Sequence, residues 1–128
     1  MKELIIKTTK KRDVIDITDK VNGLLDGKKD GLVNLFVTHT TTALTTADLD
    51  EGGTDLDYLD ALEKIIPKIQ FRHPHNPSHM PDHILSSIIG TSLTLPVSGG
   101  ELVLGTWQRV VLMEFDGPRQ RRIIVSFS

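Results

Sequence analysis

The chain contains no cysteine. That absence removes disulfides and thiolate chemistry, so any transition-metal site must be built from histidine and carboxylates. No apolar run approaches the roughly 20 residues that span a bilayer. The N-terminal MKELIIKTTKKRD lacks the long apolar core and small-residue cleavage site of a secretory leader. We therefore expect no membrane partner and a cytoplasmic location. Aromatic residues are few, one Trp, one Tyr and four Phe, and they are not interleaved with basic residues as in single-strand binders. There is no excess of positive charge: 15 Lys and Arg against 17 Asp and Glu leave −2. The basic footprint of a nucleic-acid protein is missing, and nucleic acid is not an expected partner.

What the chain does have is histidine in one place. Of five histidines, His73, His75, His79 and His83 fall within the stretch FRHPHNPSHMPDH, and His39 opens a threonine run. The neutral imidazole is the commonest protein ligand for zinc and similar metals. Such a concentration points to a metal or acid/base site, against the alternative of a solvated His-rich loop. With 128 residues the chain reads as one domain, residues 1–128, large enough to bury a core without disulfides.

Residues 2–9 and 12–17 are rich in β-formers, with Lys10-Lys11 as a turn between them. Thr18 or Asp19 is placed to cap a short helix carrying Val21, Leu24 and Leu25, and Gly27 to end it. Residues 31–38 read as a buried strand that delivers His39. Thr54 and Asp57 form a weak capping box. Leu56, Leu59, Leu62 and Ile66 follow as one helix face, stopped by Pro67. Residues 68–81 are a loop stiffened by Pro74, Pro77 and Pro81. A helix from about 82 to 89 follows, with Asp82 as cap and Gly90 as stop. Residues 91–97, 101–116 and 121–127 are β-rich, with a bulge or close approach at Gly105 and a turn at 116–119. Strands at both ends with two to three helices between them predict an α+β fold around a largely antiparallel sheet.

The charge is uneven. Asp48, Asp50, Glu51, Asp55, Asp57 and Asp60 crowd the middle, while Arg109, Arg119, Arg121 and Arg122 gather near the C-terminus. Solvated faces account for this; an anion pocket at the arginines is the alternative. Thr40, Thr41 and Thr42 offer hydroxyls and backbone N–H groups suited to phosphate oxygens, or else satisfy local backbone. Glu114, a carboxylate in an apolar strand, is expected to pair with Arg121 or Arg122 in a structural role. His79 and His83 share a helix face only if the turn begins before Pro81.

The segments VTHTTTALT, FRH, MPDHILSSIIGTSLTLPV, LVLGTWQRV and RRIIV together resemble the YjbQ-like family, in its order, from about residue 37 to 125. The most specific part is the Gly-Thr-Trp-Gln at 105–108 preceded by the strand at 90–97. That family has long been described as uncharacterised, and some members are described as secondary thiamine-phosphate synthases. The resemblance implies a compact homotrimer with a small pocket near a subunit interface, lined by the histidines that match His39, His73 and His83. Those three are the implied metal ligands, with His79 as a fourth where the family has Asn or Asp. The metal is zinc in first place, since three imidazoles leave a tetrahedral position open, and magnesium in second. His39, Thr40, Thr41 and Gln108 are the candidate catalytic residues. Thr42, Asp48, Trp107 and Arg109 are candidate ligand contacts, for a small phosphorylated metabolite or other anion. The chain departs from the family at Thr45-Thr46-Ala47-Asp48, where many members read Thr-Ile-Asn-Glu, and at Arg109, often a glycine. His75 has no regular counterpart. The functions implied are a transferase acting on phosphorylated pyrimidine and thiazole substrates, a metal-assisted hydrolase, or a trimer that binds a metal or anion without turnover.

Overall fold

The computed structural model describes residues 1–25 and 27–128. The chain runs β1 (Lys2–Lys7), β2 (Asp13–Asp16), α1 (Thr18–Gly23), β3 (Gly31–Val37), β4 (Thr42–Asp48), α2 (Thr54–Ile65), a single 3-10 turn (Pro77–His79), α3 (Met80–Ile89), β5 (Ser92–Ser98), β6 (Glu101–Leu102), β7 (Gln108–Glu114) and β8 (Gln120–Phe127). The strands form two sheets, β1-β8-β3-β5-β6 and β2-β7-β4. All their pairings are antiparallel. The α+β reading holds, with the sheet split in two.

β7 explains the split. Its run QRVVLME carries apolar residues on consecutive positions, and five of its seven residues are buried. Val110 and Leu112 enter the core between the sheets, with Val33, Leu35, Val37, Leu44, Ile123 and Val125. Val111 and Met113, with Phe115 just beyond the strand, pack on the other side against Ala43, Ile66 and Leu85. The order is therefore five-stranded sheet, three-stranded sheet, helices. A strand covered on both faces loses its period-two pattern. For the same reason β4 escapes the sequence reading: Thr42, Ala43 and Leu44 are all buried.

Other boundaries move for local reasons. The segment 101–116 is broken by a tight turn: the Gln108 N–H donates to the Gly105 carbonyl (3.1 Å) and the Gly105 N–H to Gln108 Oε1 (3.1 Å). α1 ends at Gly23 with Leu24 as its cap, while Gly27 takes φ 78° beyond it. Thr54 lies inside α2, whose cap is Gly53 with φ 97° and no side-chain capping bond. The stripe of α2 that packs on the core is half-buried Tyr58, Leu59 and Leu62 with the buried capping Ile66; Leu56, read as part of it, is 59% exposed. α3 starts before Pro81, which sits in its first turn where proline is tolerated. Asp82 does not cap it; it is buried and pairs with Arg12 (2.9 Å).

Two contacts tie α3 to the strand ends. The Ser86 hydroxyl donates to the Thr42 carbonyl (2.6 Å) in buried surroundings, and the Leu44 N–H donates to the Gly90 carbonyl (3.0 Å). Ser86→Ala leaves the first acceptor without its buried hydroxyl partner. The expected loss is about 1–2 kcal/mol, measurable as a lower urea midpoint with an unchanged slope.

The outer face of the large sheet stays uncovered. Ile5, Leu32 and Phe36 project from it and are 41%, 48% and 43% exposed. No helix among the described residues is long and apolar enough to cross a membrane.

Candidate histidine site

Three chain segments meet at one end of the sandwich. The link from β3 to β4 supplies Thr38, His39, Thr40 and Thr41; the 68–81 loop and the start of α3 supply His73, His79 and His83; the β7–β8 hairpin supplies Asp116, Arg119 and Arg121. Together they line an open cleft of about 680 Å³. A more apolar groove of about 480 Å³, lined by Leu62, Ile66, Phe71 and Leu85 among others, holds no histidine.

His73 and His83 form the closest pair. Their rings stack at 5.0 Å between centroids, and their Nε2 atoms lie 3.2 Å apart. His73 Nδ1 lies 2.7 Å from the Pro74 carbonyl, and His83 Nδ1 lies 3.0 Å from the Thr40 carbonyl. A carbonyl only accepts, so each Nδ1 carries the proton and donates it. In the neutral rings both Nε2 lone pairs then point into the same small space. Two nitrogen acceptors therefore lie 3.2 Å apart.

His39 is held differently. The backbone N–H of Arg122 donates to His39 Nε2 (3.0 Å). A backbone N–H can only donate, so Nε2 is unprotonated and the ring's one N–H is at Nδ1. Partial burial, together with the Arg121 and Arg119 charges, pushes the His39 pKa down, against an opposing pull from Glu114. The ring is held neutral.

His79 borders the cleft at 6.4 Å from the His73 ring, with its Nε2 facing the Asn76 amide (3.1 Å). The Asn76 orientation follows from Ser78, whose N–H donates to Asn76 Oδ1 (3.2 Å). His75 lies outside the cleft in the left-handed region, φ 69°. Among the described residues no group of three or more His, Asp or Glu side chains converges as a metal site. The triad read from sequence is therefore assembled only as the pair His73 and His83; His39 and His79 have their Nε2 atoms engaged elsewhere.

Beneath the cleft lies a buried ion pair. Arg121 Nε donates to Glu114 Oε2 (2.8 Å) and Nη2 to Glu114 Oε1. The same Nη2 donates to Thr41 Oγ1 (2.9 Å). Both residues project into the layer between the sheets, where Arg121 and Glu114 are 2% and 0% exposed. Burial alone would raise the Glu114 carboxyl; bonds from Arg121, the Asp116 N–H and the Thr8 hydroxyl outweigh it and hold it below its usual range. Of the two partners expected for Glu114, Arg121 is the one found. Arg122 pairs with Glu3 on the outer face. Arg119 lines the cleft half-exposed and bonds Asp116 (3.0 Å).

The remaining candidates lie elsewhere. Thr42 is fully buried, its hydroxyl donates to the Met113 carbonyl (2.6 Å), and it does not line the cleft. Asp48, Gln108 and Arg109 lie at the far end of the β4–β7 ladder, whose register runs from Thr42↔Glu114 to Asp48↔Gln108. Six residue steps put that end about 20 Å from the cleft. There Gln108 Nε2 donates to Thr46 Oγ1 (3.0 Å). Arg109 pairs with Asp16 (2.7 Å) and Asp19 (3.4 Å). Trp107 is 68% exposed. Within one chain these four do not meet the histidines. Asp116 and Gln120 were not singled out from sequence as cleft residues; both belong to the turn and strand start that carry Arg119.

Fold and cleft together define a small two-sheet α+β protein with a histidine-walled cleft at one end of the sandwich. The chain belongs to the UPF0047, YjbQ-like family, whose model matches residues 2–128. A UPF0047 protein of Archaeoglobus fulgidus is 42% identical over 124 residues, covering 96% of this chain and 97% of the relative. The UPF0047 protein YugU of Bacillus subtilis is 35% identical over 123 residues, covering 94% and 93%. The crystal structure of a YjbQ/UPF0047-family protein from Clostridium acetobutylicum matches with a TM-score of 0.90 at 34% identity over the whole of both chains. That of a conserved hypothetical protein from Thermus thermophilus matches at 0.89 and 35%, also over both whole chains.

Proposed function

We propose that this protein is a small-molecule enzyme whose cleft binds a divalent metal on His73 and His83 and takes a small phosphorylated or otherwise anionic metabolite. The observation that carries this reading is the facing pair of Nε2 atoms at 3.2 Å. Two zinc–nitrogen bonds of about 2.0–2.1 Å at a tetrahedral angle separate the nitrogens by about 3.3–3.4 Å. Each ring also donates its Nδ1–H to a backbone carbonyl, the second contact that metal-binding histidines usually have. The donor set fits: imidazole nitrogen suits zinc, while magnesium prefers oxygen. Two protein ligands leave positions for water and substrate oxygen.

A bound divalent ion supplies Lewis-acid stabilisation of developing oxygen charge. The chain supplies the rest. His73 and His83 hold the ion, Arg119 faces an anion from the hairpin side, and Thr40 and Thr41 line the floor between them. This set suits hydrolysis or displacement at a phosphorylated centre. Thiamine-phosphate synthase-type transfer, with departure of pyrophosphate, falls within that class. Its leaving group ordinarily works with magnesium, so the imidazole pair gives metal-assisted hydrolysis equal standing. The uncovered apolar face of the large sheet favours assembly of copies of this chain, and a homotrimer in the cytoplasm remains our proposal.

The test is metal content by inductively coupled plasma mass spectrometry on untagged protein, with His83→Ala beside it. We expect about one equivalent of zinc or a similar ion in the wild type, and none in the folded variant. No metal in the wild type after zinc reconstitution would overturn the reading.

A further inference from the structure

The bond from the Arg122 N–H to His39 Nε2 (3.0 Å) decides more than the count of metal ligands. It uses the lone pair through which the ring would bind a metal and leaves Nδ1–H, without a partner among the described residues, on a ring that lines the cleft. Thr41 is constrained in the same sense. Its Oγ1 accepts from Arg121 Nη2 (2.9 Å), and a guanidinium has nothing to accept with. The hydroxyl proton is thus free to turn toward the cleft. Arg121 gives its Nε and Nη2 donors to Glu114 and Thr41, so it orients Thr41 from the side of the buried ion pair. His39, fixed in this way, can only offer a proton to whatever enters, while Thr41 can donate its proton and keeps one lone pair. Beside them stands Arg119, half-exposed and paired with the Asp116 carboxylate, which also lines the cleft.

We propose that His39 is a ligand-binding residue that donates its Nδ1–H to an anionic oxygen, alongside the Thr41 hydroxyl, and is not a third metal ligand. The ligand class is an oxyanion, with the phosphoryl group as its simplest form. An ammonium group would meet a donor at His39 and a cation at Arg119 on this side of the cleft. This inference rests on the preceding reading for the place of the metal, on His73 and His83, but the donor wall does not need the metal to be tested.

Two variants separate the ring's two nitrogens. His39→Gln puts an amide near the Nε2 position, keeps an acceptor for the Arg122 N–H and loses the donor. His39→Asn puts an amide N–H near the Nδ1 position. The measurements are zinc content and calorimetric binding of inorganic phosphate, each on zinc-loaded and chelator-treated protein, with circular dichroism to establish folding. We expect His39→Gln to keep the wild-type zinc content and to bind phosphate roughly ten- to hundred-fold more weakly, the weight of a hydrogen bond to a charged group. His39→Asn should bind phosphate within a few-fold of wild type. Nitrogen chemical shifts of His39 should report the Nδ1–H tautomer before and after zinc. Loss of zinc in folded His39→Gln would overturn the assignment, as would unchanged phosphate affinity or the Nε2–H tautomer. Failure of the wild type to bind phosphate in either form would do the same. Absence of zinc from the wild type defeats only the metal reading, because phosphate binding by chelator-treated protein still decides the role of His39.

Discussion

Replacing Glu114 with Gln is expected to cost about 3–5 kcal/mol of folding stability, because it leaves the Arg121 guanidinium buried without its counter-charge. The geometry supports the full penalty. Arg121 and Glu114 are 2% and 0% exposed, the contact is bidentate, and water cannot take over the lost role. Urea unfolding read at two probes measures the loss; a cost under about 1 kcal/mol would mean that Arg121 finds another anion or reaches solvent. Glu114→Gln/Arg121→Met should recover most of the loss, since removing both charges removes the desolvation cost with the attraction. The recovery would not extend to the cleft. Thr41 Oγ1 would lose its donor from Arg121, so phosphate binding should stay weak in the double variant while stability returns. That contrast separates what the pair does for the fold from what it does for the site.

The pair also carries a pH signature. The folded Glu114 pKa lies below its ordinary value, with burial opposing and the hydrogen bonds from Arg121, the Asp116 N–H and Thr8 prevailing. In acid the unfolded chain takes up this proton before the folded one does. The contribution is therefore complete above the ordinary value of 4.5 and is lost as pH falls through the depressed folded value. Glu114→Gln removes that titration, so the variant should lose less further stability on acidification than the wild type.

How far the sequence revealed all this depends on where each residue's constraint lies. The histidines were legible because residue type alone marks them, and the family segments tied His39 to His73 and His83. Their different hydrogen bonding was not legible. It depends on the Arg122 N–H, which reaches His39 across the gap between β3 and β8 and leaves no trace in spacing. Glu114 was legible as a charge among apolar neighbours, with its partner narrowed to two arginines one position apart. Alternation along β8 selects Arg121, which shares the inward face with Ile123 and Val125. β4 was hidden because burial on both faces removes the alternation that marks a strand. Trp107 and Gln108 lie apart from the histidines within one chain. Their motif is the most specific in the chain, yet it sits at the far end of the β4–β7 ladder, where Gln108 closes a turn and bonds Thr46.

The second large effect is expected at Arg12, and its pH dependence runs the other way from that of Glu114. Asp82 is 1% exposed and lies one residue before His83 at the start of α3. Its ion-pair partner is Arg12, with a side chain 30% exposed. Burial raises the Asp82 pKa, and Arg12 only partly offsets it. Arg12→Met leaves the carboxylate buried without that partner, at an expected cost of about 2–3 kcal/mol at pH 7, below the range for pairs buried on both sides. The sign follows from the raised pKa. The folded chain holds this proton to higher pH than the unfolded one, so the contribution is complete below the ordinary value of 3.8 and is lost as pH rises through the folded value. Removing Arg12 raises the folded value further. The gap in stability between Arg12→Met and wild type should therefore narrow as pH is lowered from 7 toward 5, while the Glu114→Gln gap in that range stays nearly constant. A deficit in Arg12→Met that stays flat from pH 7 to 5 would show that the Arg12 side chain acts through its packing in the apolar groove and not through charge. Because His83 follows Asp82 on the same turn, any zinc held at the proposed site should be retained less well at neutral pH in Arg12→Met, and recovered in Arg12→Lys, which restores the charge without the planar guanidinium.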